Sequence, residues 1–395
     1  MASSVAYKFQ EKFNFLTNPS HHNAGVYYSL LFKLWQSAAG VITIAFIAYF
    51  MDAEAQGYYY AFASLIALQS FFELGLYFVV SIAASHEWAR LNLTPEGQID
   101  GDPEALSHLI SLGRFVFQWY GMAALIFLLL AGGLGLHFFT EPRPVSFEWR
   151  AQWLLHVTFS AGNLWLLPFL SLLEGCNQFA STSRFRLIQS LASSAAAWAI
   201  MAAGGQLWAL PVLSGVSLSL ILGYIIVTKR NFFSAFYRRP KGSKLNWQRD
   251  LLPMQWRLAI QGLFSYLSFP LYPALIFAAV GSEEAGRLGM TLQIVNAIQS
   301  LGIVLISTRA PALAMAVAQG QREALRATWV SASLQAVLMM TTLSIAFLAV
   351  LIFVVTVGWS PAQRVLSGSI ITLFLLGAFM ALIVQCIAIY LRAQR

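Results

Sequence analysis

Two ionisable side chains, Lys33 and Glu73, stand inside long apolar stretches of this 395-residue chain. A charge inside a bilayer costs about 2.5–3.5 kcal/mol on insertion scales, so each needs a reason to be there. Counted along their stretches at about 1.5 Å per helical residue, the two lie at depths of roughly 12 and 16 Å, close enough to pair. Gln36, three residues after Lys33, and Gln69, four before Glu73, extend each position along one helix face. Two accounts follow from these residue types. Either the pair tethers adjacent helices, or Lys33 offers a cation to a phosphate while Glu73 serves as its partner or as a proton-linked switch. A second polar stripe, Gln293, Asn296 and Ser300 with Gln299 beside it, has helical spacing, and Gln261 on the preceding helix could meet it. Amides of this kind join membrane helices by hydrogen bonds or bind the hydroxyls of a sugar, and the sequence leaves both open.

Other chemistry is poorly supplied. There are no paired carboxylates, no Ser/His/Asp set and no glycine-rich phosphate loop at a membrane face, which argues against an enzyme. Cys176 and Cys386 cannot form a disulfide framework, and no Cys/His cluster suggests zinc, so no metal or cofactor is expected. Arg257 and Arg309 sit near helix ends, where arginines snorkel to headgroups. Phe232, Phe233, Phe236 and Tyr237 beside Arg238, Arg239, Lys241 and Lys244 read as a surface helix drawn to anionic lipid; nucleic acid is not expected. Pro270 and Pro273 should kink or break their helix.

The elements that position these residues are membrane helices. The chain is 58% hydrophobic and only 10% charged, with a mean hydropathy of +0.66. A soluble chain carries about 25% charged residues, so a soluble or disordered protein is excluded. Segments of roughly 20 apolar residues can span. Ten qualify, near 25–50, 57–84, 114–139, 149–173, 183–203, 206–228, 254–280, 286–309, 326–357 and 361–391, with a tight hairpin at Gly204-Gly205. With the N-terminus inside, 19 basic residues fall on the inner side and 4 on the outer. That bias makes both termini cytoplasmic. The net charge of +8 is thus a topology signal.

The segment from Tyr27 to Gly57 can be laid over Trp256 to Gly286 without a gap, placing Glu54 on Glu283 and Gly57 on Gly286. Six helices separate the copies, so both enter the membrane in the same direction. Parallel repeats of this kind enclose a substrate path in transporters. The expected architecture is all-α and polytopic, in two parallel-repeat bundles of six plus four helices. Residues 1–24 form a cytoplasmic segment, 25–228 the first bundle, 229–253 a basic linker and 254–395 the second bundle.

Tyr27-Tyr28, Leu34-Trp35-Gln36, the Glu54-to-Gly57 turn and Phe71-Phe72-Glu73-Leu74-Gly75 add a further signal, as do Gly286 to Gln293, Ala297-Ile298 and Thr308-Arg309-Ala310-Pro311. With these motifs the chain resembles the oligosaccharide (O-antigen type) flippases of the multidrug/oligosaccharidyl-lipid/polysaccharide exporter superfamily. The resemblance implies two six-helix bundles, where this chain has ten helices in all. It implies alternating access that moves a lipid-linked oligosaccharide across the bacterial inner membrane, with membrane lipids and glycan-assembly proteins as partners. The coupling ion, proton or sodium, is not indicated. It also implies a cleft between helices one, two, seven and eight, with Lys33, Gln36, Gln69, Glu73, Gln261, Gln293 and Asn296 as its polar lining. Arg257 and Arg309 would then gather pyrophosphate at its inner mouth. A multidrug/cation exporter of the same superfamily, or a shortened non-transporting scaffold of sugar-export machinery, are the alternatives.

Overall fold

The computed structural model describes residues 21–73, 75–140, 147–237, 252–309, 313, 316–317, 319–358 and 363–393. These form helices α1 (His21–Phe50), α2 (Ala53–Ile66), α3 (Gln69–Glu73), α4 (Leu76–Trp88), α5 (Pro103–Phe138), α6 (Arg150–Leu173) and α7 (Phe179–Ala202). They continue with α8 (Ala209–Gly223), α9 (Arg230–Ser234), α10 (Leu252–Ser268), α11 (Tyr272–Ala279), α12 (Ser282–Ser307), α13 (Arg322–Val357) and α14 (Gly368–Ala393). A short antiparallel hairpin, β1 (Leu91–Leu93) against β2 (Ile99–Gly101), accompanies them. The protein is all-α and polytopic. Eight helical stretches among the described residues are long and apolar enough to cross a membrane. One, Arg150–Ala202, runs to 53 residues and holds two crossings; α10 and α11, each too short alone, make another. The ten crossings read from the sequence are thereby recovered.

Several boundaries differ from expectation for local reasons. The third crossing starts at Pro103, eleven residues early, because the Asp102 side chain accepts from the Glu104 amide at 3.0 Å and proline occupies the first helical position. The second crossing is interrupted twice, after Ile66 and after Glu73. Gly75 has φ +66°, and a Cβ there would lie 2.5 Å from Leu258, so neither the backbone nor the space admits a larger residue. The fourth and fifth crossings meet in a wide π-type turn, Glu174–Gln178, where Asn177 takes φ +57°. At the expected hairpin, Gly204 has φ +83° between α7 and α8.

Contacts divide the chain into two units: residues 1–32 with 62–274, and 33–61 with 275–395. In the first unit α5 packs on α6, α6 on α8, and α7 on α8. Its aromatic centre is Phe62, Phe139 and Trp153, with ring centroids 4.7–5.0 Å apart, and the Trp153 indole donates to the Gly132 carbonyl. A second aromatic group corrects the surface-helix reading. Phe232, Phe233 and Phe236 are buried, against Trp88, Phe117, Phe169 and Gly113, so this strap binds the bundle rather than lipid. Arg238, Arg239, Lys241 and Lys244 lie outside the described residues.

In the second unit α12 packs against α13 and α14 around Val295, Ile306, Ala336, Met340, Ile371 and Leu382. Ser37 and Gly40 of α1 are hydrogen-bonded to Ser300 and Gln293 of α12, and the start of α2 meets the start of α12. There the two repeat-related glycines meet: a Cβ on Gly286 would be 3.0 Å from the Gly57 nitrogen, and one on Gly57 only 2.0 Å from the Ser282 carbonyl.

Candidate substrate-transport site

The first unit carries its charge at the π-type turn. Glu174 begins that turn, and Arg186 lies two turns into α7. The Arg186 Nε stands 3.5 Å from Glu174 Oε1, and its Nη2 donates to the Tyr77 hydroxyl. The guanidinium carbon lies 5.0 Å from the Tyr77 ring centre, a cation–π contact. Glu73, at the end of α3, feels the charge of Arg186 and makes no ion pair of its own among the described residues. Tyr120, on α5, is close enough to interact electrostatically with Glu73 and Tyr77, and its buried hydroxyl has no hydrogen-bond partner among the described residues. Two carboxylates, one guanidinium and two phenols are therefore gathered inside one helical bundle.

A neutral polar chain runs through the same unit. Buried His156 meets the Ser214 hydroxyl at 3.0 Å, and Asn163 donates to the Ser214 carbonyl at 2.9 Å. Ser217 donates to Asn163 Oδ1 at 2.9 Å and accepts from the Gln189 amide at 2.7 Å. Gln189 is one turn from Arg186 on α7, so α6, α7 and α8 are laced together beside the charged group. Lys229 donates to Gln178 Oε1 at 2.7 Å and ties the turn to the end of the sixth crossing.

Polar side chains of the second unit are placed differently. Gln293 donates to the Gly40 carbonyl at 3.1 Å, Ser300 meets Ser37 at 3.2 Å, and Gln299 donates to the Ala378 carbonyl at 3.2 Å. Buried Gln56 donates to the carbonyls of Gly286 at 2.9 Å and Arg364 at 3.0 Å, and accepts from the Arg364 guanidinium at 3.3 Å. Asn296, between Gln293 and Ser300 on α12, is exposed, as are Lys33 and Gln36 on α1.

The expected site residues are thus distributed. Lys33, Gln36, Gln293 and Asn296 share the second unit; Gln69 and Glu73, both half-buried, share the first. Arg309 is exposed at the end of α12. Arg257 and Gln261 lie on α10, and their side chains are outside the described residues. Glu174 and Arg186 are not expected at a site, because Arg186, at the start of a crossing that begins near 183, counts among the cytoplasmic basic residues that set topology. The signal was present in the short polar run Glu174-Gly175-Cys176-Asn177, where a carboxylate precedes glycine and asparagine and an arginine follows on the next helix. Among the described residues no group of three or more His, Cys, Asp or Glu side chains could hold a metal ion.

A polytopic helical membrane protein with a charged cluster in one bundle is the class these observations define. No protein-family model and no curated protein matches the sequence. Among solved structures the fold is similar to that of an inward-facing multidrug resistance MATE family transporter of the MOP superfamily, with a TM-score of 0.53 at 13% identity, over 93% of this chain and 82% of that one. It is also similar to a MATE protein in complex with MaD3S, with a TM-score of 0.51 at 15% identity, over 96% of this chain and 84% of that one. The likeness is one of fold.

Proposed function

We propose that the protein is a membrane transporter that exports small amphipathic cations by alternating access. The observation that carries this reading is the acidic excess inside the first unit: Glu73 and Glu174 face a single Arg186, with the rings of Tyr77 and Tyr120 alongside. If all three ionise, one negative charge is left over in a largely buried setting, where an unpaired charge is costly. An organic cation supplies the missing charge and stacks on aromatic rings, and a proton or sodium ion can occupy the same place in its absence. The similarity of fold to multidrug transporters supports the same cargo class. In this reading the protein lies in a bacterial inner membrane with both termini cytoplasmic, as the basic-residue bias suggests.

Purified protein in liposomes should move an organic cation dye such as ethidium, and E73Q should slow that movement by about tenfold or more, in keeping with the loss of one intramembrane charge interaction. A wild-type protein that leaves the dye untouched, under either a proton or a sodium gradient, would overturn the proposal.

A second reading has one observation in its favour. In the second unit Lys33, Gln36 and Asn296 are each exposed, and one cation with two amides suits the phosphate and hydroxyls of a lipid-linked oligosaccharide. Transbilayer movement of such a lipid in the same liposomes, lost in K33Q and unaffected by E73Q, would favour it over cation export.

A further inference from the structure

The seventh crossing runs from Leu252 to Ala279, yet it is two helices, α10 and α11. Pro270 and Pro273 explain part of the break. Neither has an N–H, so the carbonyls of Tyr266 and Phe269 lose their helical donors. The Tyr272 amide takes up the Phe269 carbonyl at 3.2 Å in a tighter turn. Beyond the second proline, the first pair able to resume the helix is the Ala274 amide and the Pro270 carbonyl, four residues apart. That pair is occupied by a third party. Ser64 of α2 donates its hydroxyl to the Pro270 carbonyl and accepts from the Ala274 amide at 3.2 Å.

A side chain inserted into the helical ladder is one of the few causes of a sharp helix break. Ser64 is well placed to act as one. It is 4% exposed, and its own carbonyl accepts from the Tyr266 hydroxyl at 3.4 Å, so α2 is held to α10 on the side of the break where the hydroxyl enters. The position along the chain also matters. The chain passes between its two units at Ala61–Phe62 and at Ala274–Leu275, the first within three residues of Ser64 and the second at the amide it binds. A bond that can be made or released there changes the geometry of a helix where it changes unit.

We infer that Ser64 is the pin of a hinge in the seventh crossing: its hydroxyl keeps the Pro270–Ala274 turn open, and its withdrawal lets that turn close on itself. In the open state the two backbone groups are satisfied by Ser64, and in the closed state by each other. Neither of these two groups is left unpaired in either state, which is the condition for a low-cost switch in a membrane. The role of this hinge in transport rests on the exporter reading; the hinge itself does not.

The test uses the full chain in lipid nanodiscs with nitrogen-15 alanine, reading hydrogen exchange at the Ala274 amide. In S64A the turn closes directly, and exchange at Ala274 should slow by about tenfold, while S64T, which keeps the hydroxyl, stays near wild type. If S64A cannot be recovered folded, S64C keeps the volume and replaces the hydroxyl by a poor donor, with the same expectation. Exchange that is unchanged or faster in these variants would overturn the proposal, because Ser64 would then be a staple whose loss exposes the amide. Dye export should fall with S64A and survive in S64T. Slowed exchange in S64A, together with a wild-type protein that exports nothing, would retain the hinge and remove the exporter.

Discussion

The first unit brings opposite charges from different helices together, whereas in the second, where Glu284 and Arg287 pair within one turn of α12, the contacts between helices are made mainly by neutral amides that end on backbone carbonyls. Arg186, Glu174 and Tyr77 satisfy one another side chain to side chain, with Glu73 beside them. Gln56, Gln293 and Gln299 instead reach the carbonyls of Gly286, Gly40 and Ala378. A carbonyl acceptor is fixed by its helix, so an amide bound to it reports helix packing and has little freedom to respond to cargo. A guanidinium shared between carboxylates can be rebalanced by one proton or one cation. The polar residues of the second unit therefore read as glue, and those of the first as the part that can do work.

The strongest way to break this contrast is at Arg186. R186A strands Glu174 beside Glu73 without a cation, and removing one partner of a buried pair costs about 3–5 kcal/mol. The side chain of Arg186 is 25% exposed, so the lower end of that range is expected. Thermal unfolding in detergent should show a large loss of stability or of folded protein. R186Q combined with E174Q should recover most of it. A small loss in R186A, matching that of a lone surface arginine, would mean that the first unit carries no working charge.

Next in size is the glycine contact of the second unit. G57A places a methyl group 2.0 Å from the Ser282 carbonyl, which is backbone and cannot rotate away. Overpacking of this kind costs about 1–3 kcal/mol. Gly133, on α5 of the first unit, has nothing within 4 Å of the same methyl, and G133A should be neutral or slightly stabilising, as glycine in a helix interior is disfavoured by roughly 0.5–1 kcal/mol. Equal thermal shifts in the two variants would refute the close approach at Gly57.

These effects also show what the sequence disclosed. Gly57 and Gly286 coincide when the chain is laid on itself, and repeat-related glycines are where two related helix starts can approach most closely. The turn at Gly204 and the long apolar crossings were equally legible, since length and lack of charge suffice to mark them. Arg186 was not, because a cation paired within a helix and one in a loop interrupt hydropathy alike. The strap phenylalanines were misassigned for a similar reason: an apolar face does not state whether lipid or protein will cover it. Pro103 was missed because the first turns of α5 are polar, although Asp102-Pro103-Glu104 carries a cap, a first-position proline and an acidic first turn. Ser64 left no trace, as one serine in an apolar helix gives no hint of the distant backbone it will meet.

The smallest expected effects decide whether the second unit is glue throughout. Gln293 and Asn296 stand three residues apart on α12, and the sequence gives no reason to treat them differently. Q293A removes a donor from the Gly40 carbonyl, and interhelical hydrogen bonds in membranes average about 0.6 kcal/mol, so a shift of that order in unfolding free energy is expected. N296A removes an exposed amide and should leave stability within about 0.5 kcal/mol, the usual range for a surface substitution. The informative measurement is transport. If the second unit is glue throughout, neither variant changes the rate of dye export by more than its loss of folded protein explains. If N296A, stable as wild type, lost export or altered which cargo is carried, then the exposed face beside Lys33 and Gln36 would be a binding surface. The functional asymmetry between the two units would disappear with it.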